Sequence, residues 1–484
     1  MRDTYLKPII TLTLASAFLI GCGGSDNDDD DDDNTQEITR AQDSRTFSVD
    51  EAGLPFDPVA GYENTDRWYG TLDGAGYRVE VPENWNGMLV MYAHGYRGEG
   101  PNLTVDNPGI REWLLENGYA WAASSYSRNY YDVRAGIEDT NKLALNFVDI
   151  AAENGRTLHQ PYKTYITGVS MGGHITAAAI EAETYATANN VVHYDGAVPM
   201  CGVVGGTYEF DYLLNFTMAA HELAGNASTS DNLEPPQQFP ASGFETDAIN
   251  AQLWSDQAPD YDPANGIYQS GGTLTEAGED LRSIVRRLSG GDRPYFDIGF
   301  SSFYFDIVMG TGGRDGTVNG ILARDLSGNT GVTYHFDGDP ALTAEEIAFN
   351  TGILRVAADP AANPMRSDGL RWIPKVNGEF SIPVVTIHGL GDLYVPFIHE
   401  QIYRQRAAAN GSDQWLVQRA IRAPGHCDFS DAEQENAFAA MINWEQNGIR
   451  PEGDEVLDAS VIADPNYGCQ FTTPERQGLP ACAQ

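Results

Sequence analysis

Three side chains scattered along the chain, Ser170, Asp392 and His426, have the chemistry needed to cleave an acyl bond. A serine hydroxyl is a weak nucleophile until an imidazole takes its proton, and the imidazole needs a carboxylate to fix its tautomer and stabilise its charge. Ser170 stands in Gly168-Val169-Ser170-Met171-Gly172, where small residues two positions to either side leave room for a sharply turned backbone. Asp392 stands in Gly391-Asp392-Leu393-Tyr394-Val395-Pro396, and His426 follows Gly425. The chain has nine histidines. His426 is singled out because it follows the last strand signal, whereas His174 and His399 fall in helical segments and His388 in a strand. Glu209 and Asp211 remain alternatives for the carboxylate, should it follow the preceding strand.

The elements that must hold these groups are written in the hydrophobic pattern. Residues 162–167 are mostly β-branched or aromatic and predict a short buried strand, while 175–182 predict an alanine-rich helix. Ser170 therefore sits where a strand turns into a helix, and the N–H groups at the helix start favour a developing anion. Short apolar runs at 88–92, 119–123, 194–199, 382–388 and 415–421 predict further strands covered on both faces. Helical spacing appears at 109–117, 143–154, 396–409 and 430–446, and 68–81 reads as antiparallel strands. Strands alternating with helices predict an α/β fold with a doubly wound, mainly parallel sheet, built from 46–204 and 377–450. Residues 205–376 lose the alternation and read as a large lid or cap insertion. Helices are expected there near 275–288 and 343–358, the second opening on a capping box, Thr343-Ala344-Glu345-Glu346. Residues 451–484 form a C-terminal tail.

The order Ser, Asp, His and the loops around them resemble the α/β-hydrolase superfamily. Residues 168–172 are similar to its nucleophile elbow, 391–396 to its acid loop, Gly425-His426 to its histidine loop and His94-Gly95-Tyr96 to its oxyanion segment. The resemblance spans 68–204 and 383–447. It implies Ser170 as nucleophile, His426 as general acid/base, Asp392 as orienting carboxylate, and the backbone N–H groups of Met171 and Tyr96 as oxyanion donors. The implied activity is hydrolysis of a carboxylic ester (a lipid, a polyester or a plant-derived acyl ester) through an acyl-enzyme. The fold also serves prolyl-oligopeptidase-like peptidases, acyltransferases and inactive surface binding proteins. No cofactor motif and no CxxC metal spacing is present, so neither a cofactor nor a metal is expected.

Residues 1–22 have the form of a bacterial lipoprotein signal: Arg2 and Lys7, an apolar run over 9–20, then Leu19-Ile20-Gly21-Cys22. By that resemblance Cys22 is lipidated, palmitate-like chains anchor the protein in the cell envelope, and Gly23 favours the outer membrane. Residues 23–45, with six consecutive aspartates over 28–33, form an acidic tether. A formal net charge of −40 excludes nucleic acid as a partner. Four cysteines remain, an even number in an oxidising compartment, and they admit three pairings. Cys469 with Cys482 closes a short loop. Cys201 with Cys427 then clips the histidine loop to the sheet, an arrangement similar to the disulfide beside Ser and His in tannases and feruloyl esterases. The chain departs from those enzymes in having Val169, not cysteine, before Ser170.

Overall fold

The computed structural model describes residues 45–225, 246–256, 260–262, 267–269, 272–305, 307–308, 326–474, 476 and 478–482. The expected signal segment, Cys22 and all of the tether except Arg45 lie outside them.

Eight strands form one sheet: β1 Asp66–Leu72, β2 Ala75–Val81, β3 Met88–Ala93, β4 Ala120–Ser124, β5 Lys163–Val169, β6 Gly196–Met200, β7 Val384–Gly389 and β8 Leu416–Ile421. Their order across the sheet is β1-β2-β4-β3-β5-β6-β7-β8. β2 runs antiparallel to both its neighbours, and the remaining pairs are parallel. That order with one reversed strand is the α/β-hydrolase fold.

Both faces of the sheet are covered, which is why its central strands read as unbroken apolar runs. Successive side chains of a strand point to opposite faces. On β3, Leu89 and Met91 join a core with Ile137 and Ile175, while Val90 and Tyr92 join another with Phe438 and Met441. The helices supplying these partners are α1 Val133–Leu145 and α2 Met171–Ala179 on one side and α7 Asp431–Asn447 on the other.

The chain between β6 and β7 builds helices around a third core that includes Phe216, Trp254, Phe300 and Tyr304. They include α3 Tyr208–Leu223, α4 Glu276–Leu288 and α5 Phe296–Phe305. The patterning does not announce α3, because most of its residues are buried around its whole circumference and no polar face marks the period. The helix expected over 343–358 has its capping box but spans only Ala344–Gly352. Beyond it the chain is drawn to Asn329, whose Oδ1 accepts from Val356 N–H at 2.7 Å and whose carbonyl accepts from Arg355 at 2.9 Å. The C-terminal tail carries the Cys469–Cys482 disulfide and returns to β8, where Arg422 donates to Pro465 O at 2.8 Å.

One carboxylate on β2 ties the antiparallel edge to the rest. Glu80 is fully buried and accepts from Thr65 Oγ1 at 2.6 Å, Arg111 Nε at 2.6 Å and Trp121 Nε1 at 2.9 Å. Removing one partner of a buried ion pair leaves an uncompensated charge, a loss of about 3–5 kcal/mol. Glu80→Ala is therefore expected to lower the melting temperature by several degrees, and adding Arg111→Met is expected to recover part of the loss. An unchanged melting curve for Glu80→Ala contradicts this reading.

Candidate active site

β5 ends at Val169, α2 begins at Met171, and Ser170 between them has φ 58° and ψ −124°. A side chain rarely tolerates that backbone, and it survives only where the surroundings hold it. A Cβ on Gly168 would lie 2.5 Å from Gly172 O, and one on Gly172 would lie 2.0 Å from Ala93 O. Both glycines are thus required by the crossing of the elbow with the end of β3.

The structure brings together the three residues singled out at the start. Ser170 Oγ lies 2.8 Å from His426 Nε2, and His426 Nδ1 lies 2.7 Å from Asp392 Oδ2. The carboxylate can only accept, so Nδ1 donates to it, and Nε2 presents its lone pair to the serine hydroxyl. Asp392 has no exposure to solvent, and its Oδ1 accepts from the N–H groups of Tyr394 and Val395, each at 3.0 Å. The imidazole of His426 is about a quarter exposed, so the serine end of the chain faces the outside.

The alternative carboxylates point elsewhere. Glu209 Oε2 lies 2.8 Å from His399 Nε2, and Asp211 Oδ1 accepts from Gly328 N–H at 2.7 Å. Burial, reinforced by the charge on Asp392, pushes Glu209 well above the usual carboxylate range, and burial holds His399 well below the usual histidine range. His399 Nδ1 accepts from Gly205 N–H at 2.8 Å, so Nε2 carries the proton and donates to Glu209. Glu209 is thus engaged with His399 and does not replace Asp392.

Met171 N–H opens α2 and makes no hydrogen bond among the described residues, as an oxyanion donor must before substrate arrives. In the facing segment, Gly95 packs on the elbow: a Cβ there would lie 3.2 Å from Ser170 Cβ. Tyr96 follows it, half-buried. His94 shapes this turn by donating from Nδ1 to Gly95 O at 2.6 Å while its ring stacks on Tyr126 at 4.0 Å. Burial lowers His94 to about 4, which keeps it neutral.

Two groups of residues around the site have no sequence signal. The first is the insertion, which clasps the acid loop: Tyr212 OH on α3 donates to Leu393 O at 2.9 Å, and buried Arg293 donates to Leu390 O at 2.7 Å. Gly299 on α5 approaches so closely that a Cβ there would lie 2.0 Å from Gly391 O. The second lies beneath that loop, where His388 and Glu400 meet.

The four remaining cysteines pair as Cys201–Cys427 and Cys469–Cys482. Cys201 follows β6 and its Sγ lies 3.4 Å from Ser170 N, while Cys427 Sγ lies 3.5 Å from His426 Nε2. The bond thus links the backbone beside the serine to the backbone beside the histidine.

No family model matches the chain. It is similar to an o-phthalyl amidase of Xanthobacter agilis, 22% identical over 444 residues that cover 81% of this chain and 89% of the relative. Among solved structures it is similar to an esterase from Aspergillus oryzae, 14% identical with a TM-score of 0.41, the match covering 84% of this chain and 85% of that one. Feruloyl esterase B from Aspergillus oryzae aligns at 14% identity with a TM-score of 0.38 over 86% of this chain and 89% of its own.

Cys201 and Cys427 are separated by 226 positions. Closing a loop of that size removes unfolded-state entropy equivalent to about 5 kcal/mol in the chain-entropy model. Cys201→Ser is expected to lower the melting temperature under oxidising conditions, with dithiothreitol lowering it further only through the remaining Cys469–Cys482 bond. Equal melting temperatures for wild type and variant contradict a stabilising bond.

Proposed function

We propose that the chain is a serine hydrolase that cleaves a carboxylic ester through an acyl-enzyme. The observation that carries this is the hydrogen-bonded series Ser170–His426–Asp392 placed at a strained strand-to-helix turn. Ser170 Oγ attacks the substrate carbonyl carbon as His426 Nε2 takes the hydroxyl proton, and Asp392 stabilises the imidazolium that forms. The oxyanion of the tetrahedral intermediate is met by Met171 N–H and a second N–H from the segment containing Tyr96; loss of one such donor costs roughly 3 kcal/mol of transition-state stabilisation. His426 then gives the proton to the leaving alkoxide as the carbon–oxygen bond breaks. Water, activated by the same imidazole, releases the acid and restores Ser170.

The similarity to an amidase supports a second bond class, the amide, on the same machinery. Only the leaving group differs: an amine must receive the proton from His426 before it can depart. The N-terminal signal supports a further part of the proposal, that the protein is exported and held at the outer membrane by acyl chains on Cys22.

The test is hydrolysis of p-nitrophenyl esters from acetate to palmitate beside the matching p-nitroanilides, with Ser170→Ala as control. Turnover of esters by the wild type and a loss of about four or more orders of magnitude in the variant are expected. Turnover of anilides at the higher rate selects the amidase reading, and equal residual rates in wild type and variant overturn both. For the anchor, full-length protein is expected in the membrane fraction and Cys22→Ser in the soluble fraction. Equal partitioning contradicts lipidation.

A further inference from the structure

Behind Asp392 lies a buried histidine–carboxylate pair that the reaction above does not use. His388, near the end of β7, has Nε2 2.8 Å from Val395 O and Nδ1 3.3 Å from Glu400 Oε1. The N–H of the same Val395 donates to Asp392 Oδ1. Glu400 belongs to helix α6, Ile398–Asn410, and its Oε2 accepts from Thr386 Oγ1 at 2.6 Å and Gln418 Nε2 at 2.5 Å. His388 and Asp392 are fully buried and Glu400 is 1% exposed. An unbroken series of hydrogen bonds therefore runs from Glu400 through His388, the Val395 residue, Asp392 and His426 to Ser170.

Both partners of the His388 ring, a carbonyl and a carboxylate, are acceptors only. With Glu400 present as a carboxylate, each contact is a hydrogen bond only if the ring nitrogen facing it bears a proton, an arrangement that an imidazolium satisfies at both nitrogens. His399 makes the contrast: one of its nitrogens faces a backbone donor, and it stays neutral.

We propose that His388 is a positioning residue for Asp392, held by Glu400, which fixes the acid loop through the Val395 residue and places a positive charge directly behind the buried carboxylate. This rests on the hydrolase reading of Ser170. Burial opposes a charge on His388, but the hydrogen bond and charge of Glu400, followed by the charge of Asp392, outweigh it and hold the ring above the usual histidine value. The groups facing it are Glu400 and neutral His399 on α6, Asp392 on the acid loop, the edge-on ring of Phe397 at 6.1 Å, and, bearing on Glu400, Gln418, Tyr403, Arg404 and Tyr467. Glu209 on α3 faces Asp392, and burial followed by that charge raises it well above the usual carboxylate range.

The sign follows. A positive charge behind Asp392 opposes a further positive charge at the site, and its loss is read in the acid side of the activity profile. In His388→Gln the acid side of the kcat/KM profile is expected to move up by about half a pH unit or more, as loss of a nearby charge demands. A slackened acid loop is expected to lower kcat by about 10- to 100-fold with little change in KM. Glu400→Gln should shift both in the same direction and by less. Rates are normalised to sites titrated with a fluorophosphonate, so misfolded protein does not count.

A purely structural histidine reduces the number of titratable sites and leaves the per-site kcat and the acid side of the profile unchanged; that result overturns the proposal. Independently, wild-type protein labelled with 15N-histidine is expected to show two ring N–H signals near neutral pH that vanish in His388→Gln, and a single such signal overturns the charge assignment. If the wild type neither turns over nor reacts with the fluorophosphonate, the hydrolase reading falls and takes the positioning role with it, while the ring signals still decide the charge on His388.

Discussion

A carboxylate with no access to water is costly to keep charged unless its lone pairs are met and an opposite charge lies close by. Asp392 is such a group, and much of the surrounding structure answers to it. Its oxygens are met by two backbone N–H groups and by the imidazole of His426. Burial, reinforced by its charge, pushes Glu209 above the usual carboxylate range; against the burial of His388, Glu400 first and then Asp392 favour the charged ring. Burial and this negative charge together set the electrostatic surroundings of the neighbouring groups. His426 differs from His388 and His399 in reaching the solvent side of the sheet, beside the serine.

The acid loop is gripped from two directions. From the sheet side, His388 holds it through Val395. From the insertion, Tyr212, Arg293 and Gly299 hold Leu393, Leu390 and Gly391. These insertion residues are therefore part of what shapes the carboxylate loop, in addition to whatever they contribute to covering the site. The serine side is constrained in the same spirit. The strained Ser170 backbone is boxed in by Ala93 and Gly172, and the Cys201–Cys427 bond ties that box to the histidine loop.

Much of this was legible in the sequence where the requirement is steric or chemical at short range. Gly168 and Gly172 announce the elbow because a Cβ has no room there, and the apolar runs of β3 to β8 announce strands covered on both faces. The insertion was legible as a break in the pattern and in two of its helices, near 275–288 and at the capping box of 343–346. Helix α3 is buried all round, so it lacks the polar stripe from which a helix is read, and its Tyr212 touches Leu393 across 181 positions of chain. His388 and His399 look alike in sequence, one in a strand and one in a helix. What separates them is whether their ring nitrogens meet acceptors or a donor, and only the folded chain decides that.

The central claim is that Ser170, and no other nucleophile, is the residue the fold activates. Intact-mass and peptide-mapping analysis after brief exposure to a fluorophosphonate tests it most directly. The account predicts one adduct per chain, on the peptide containing Ser170, formed only while the protein is folded and absent in His426→Ala. An adduct on another residue, or none on the folded wild type, contradicts it.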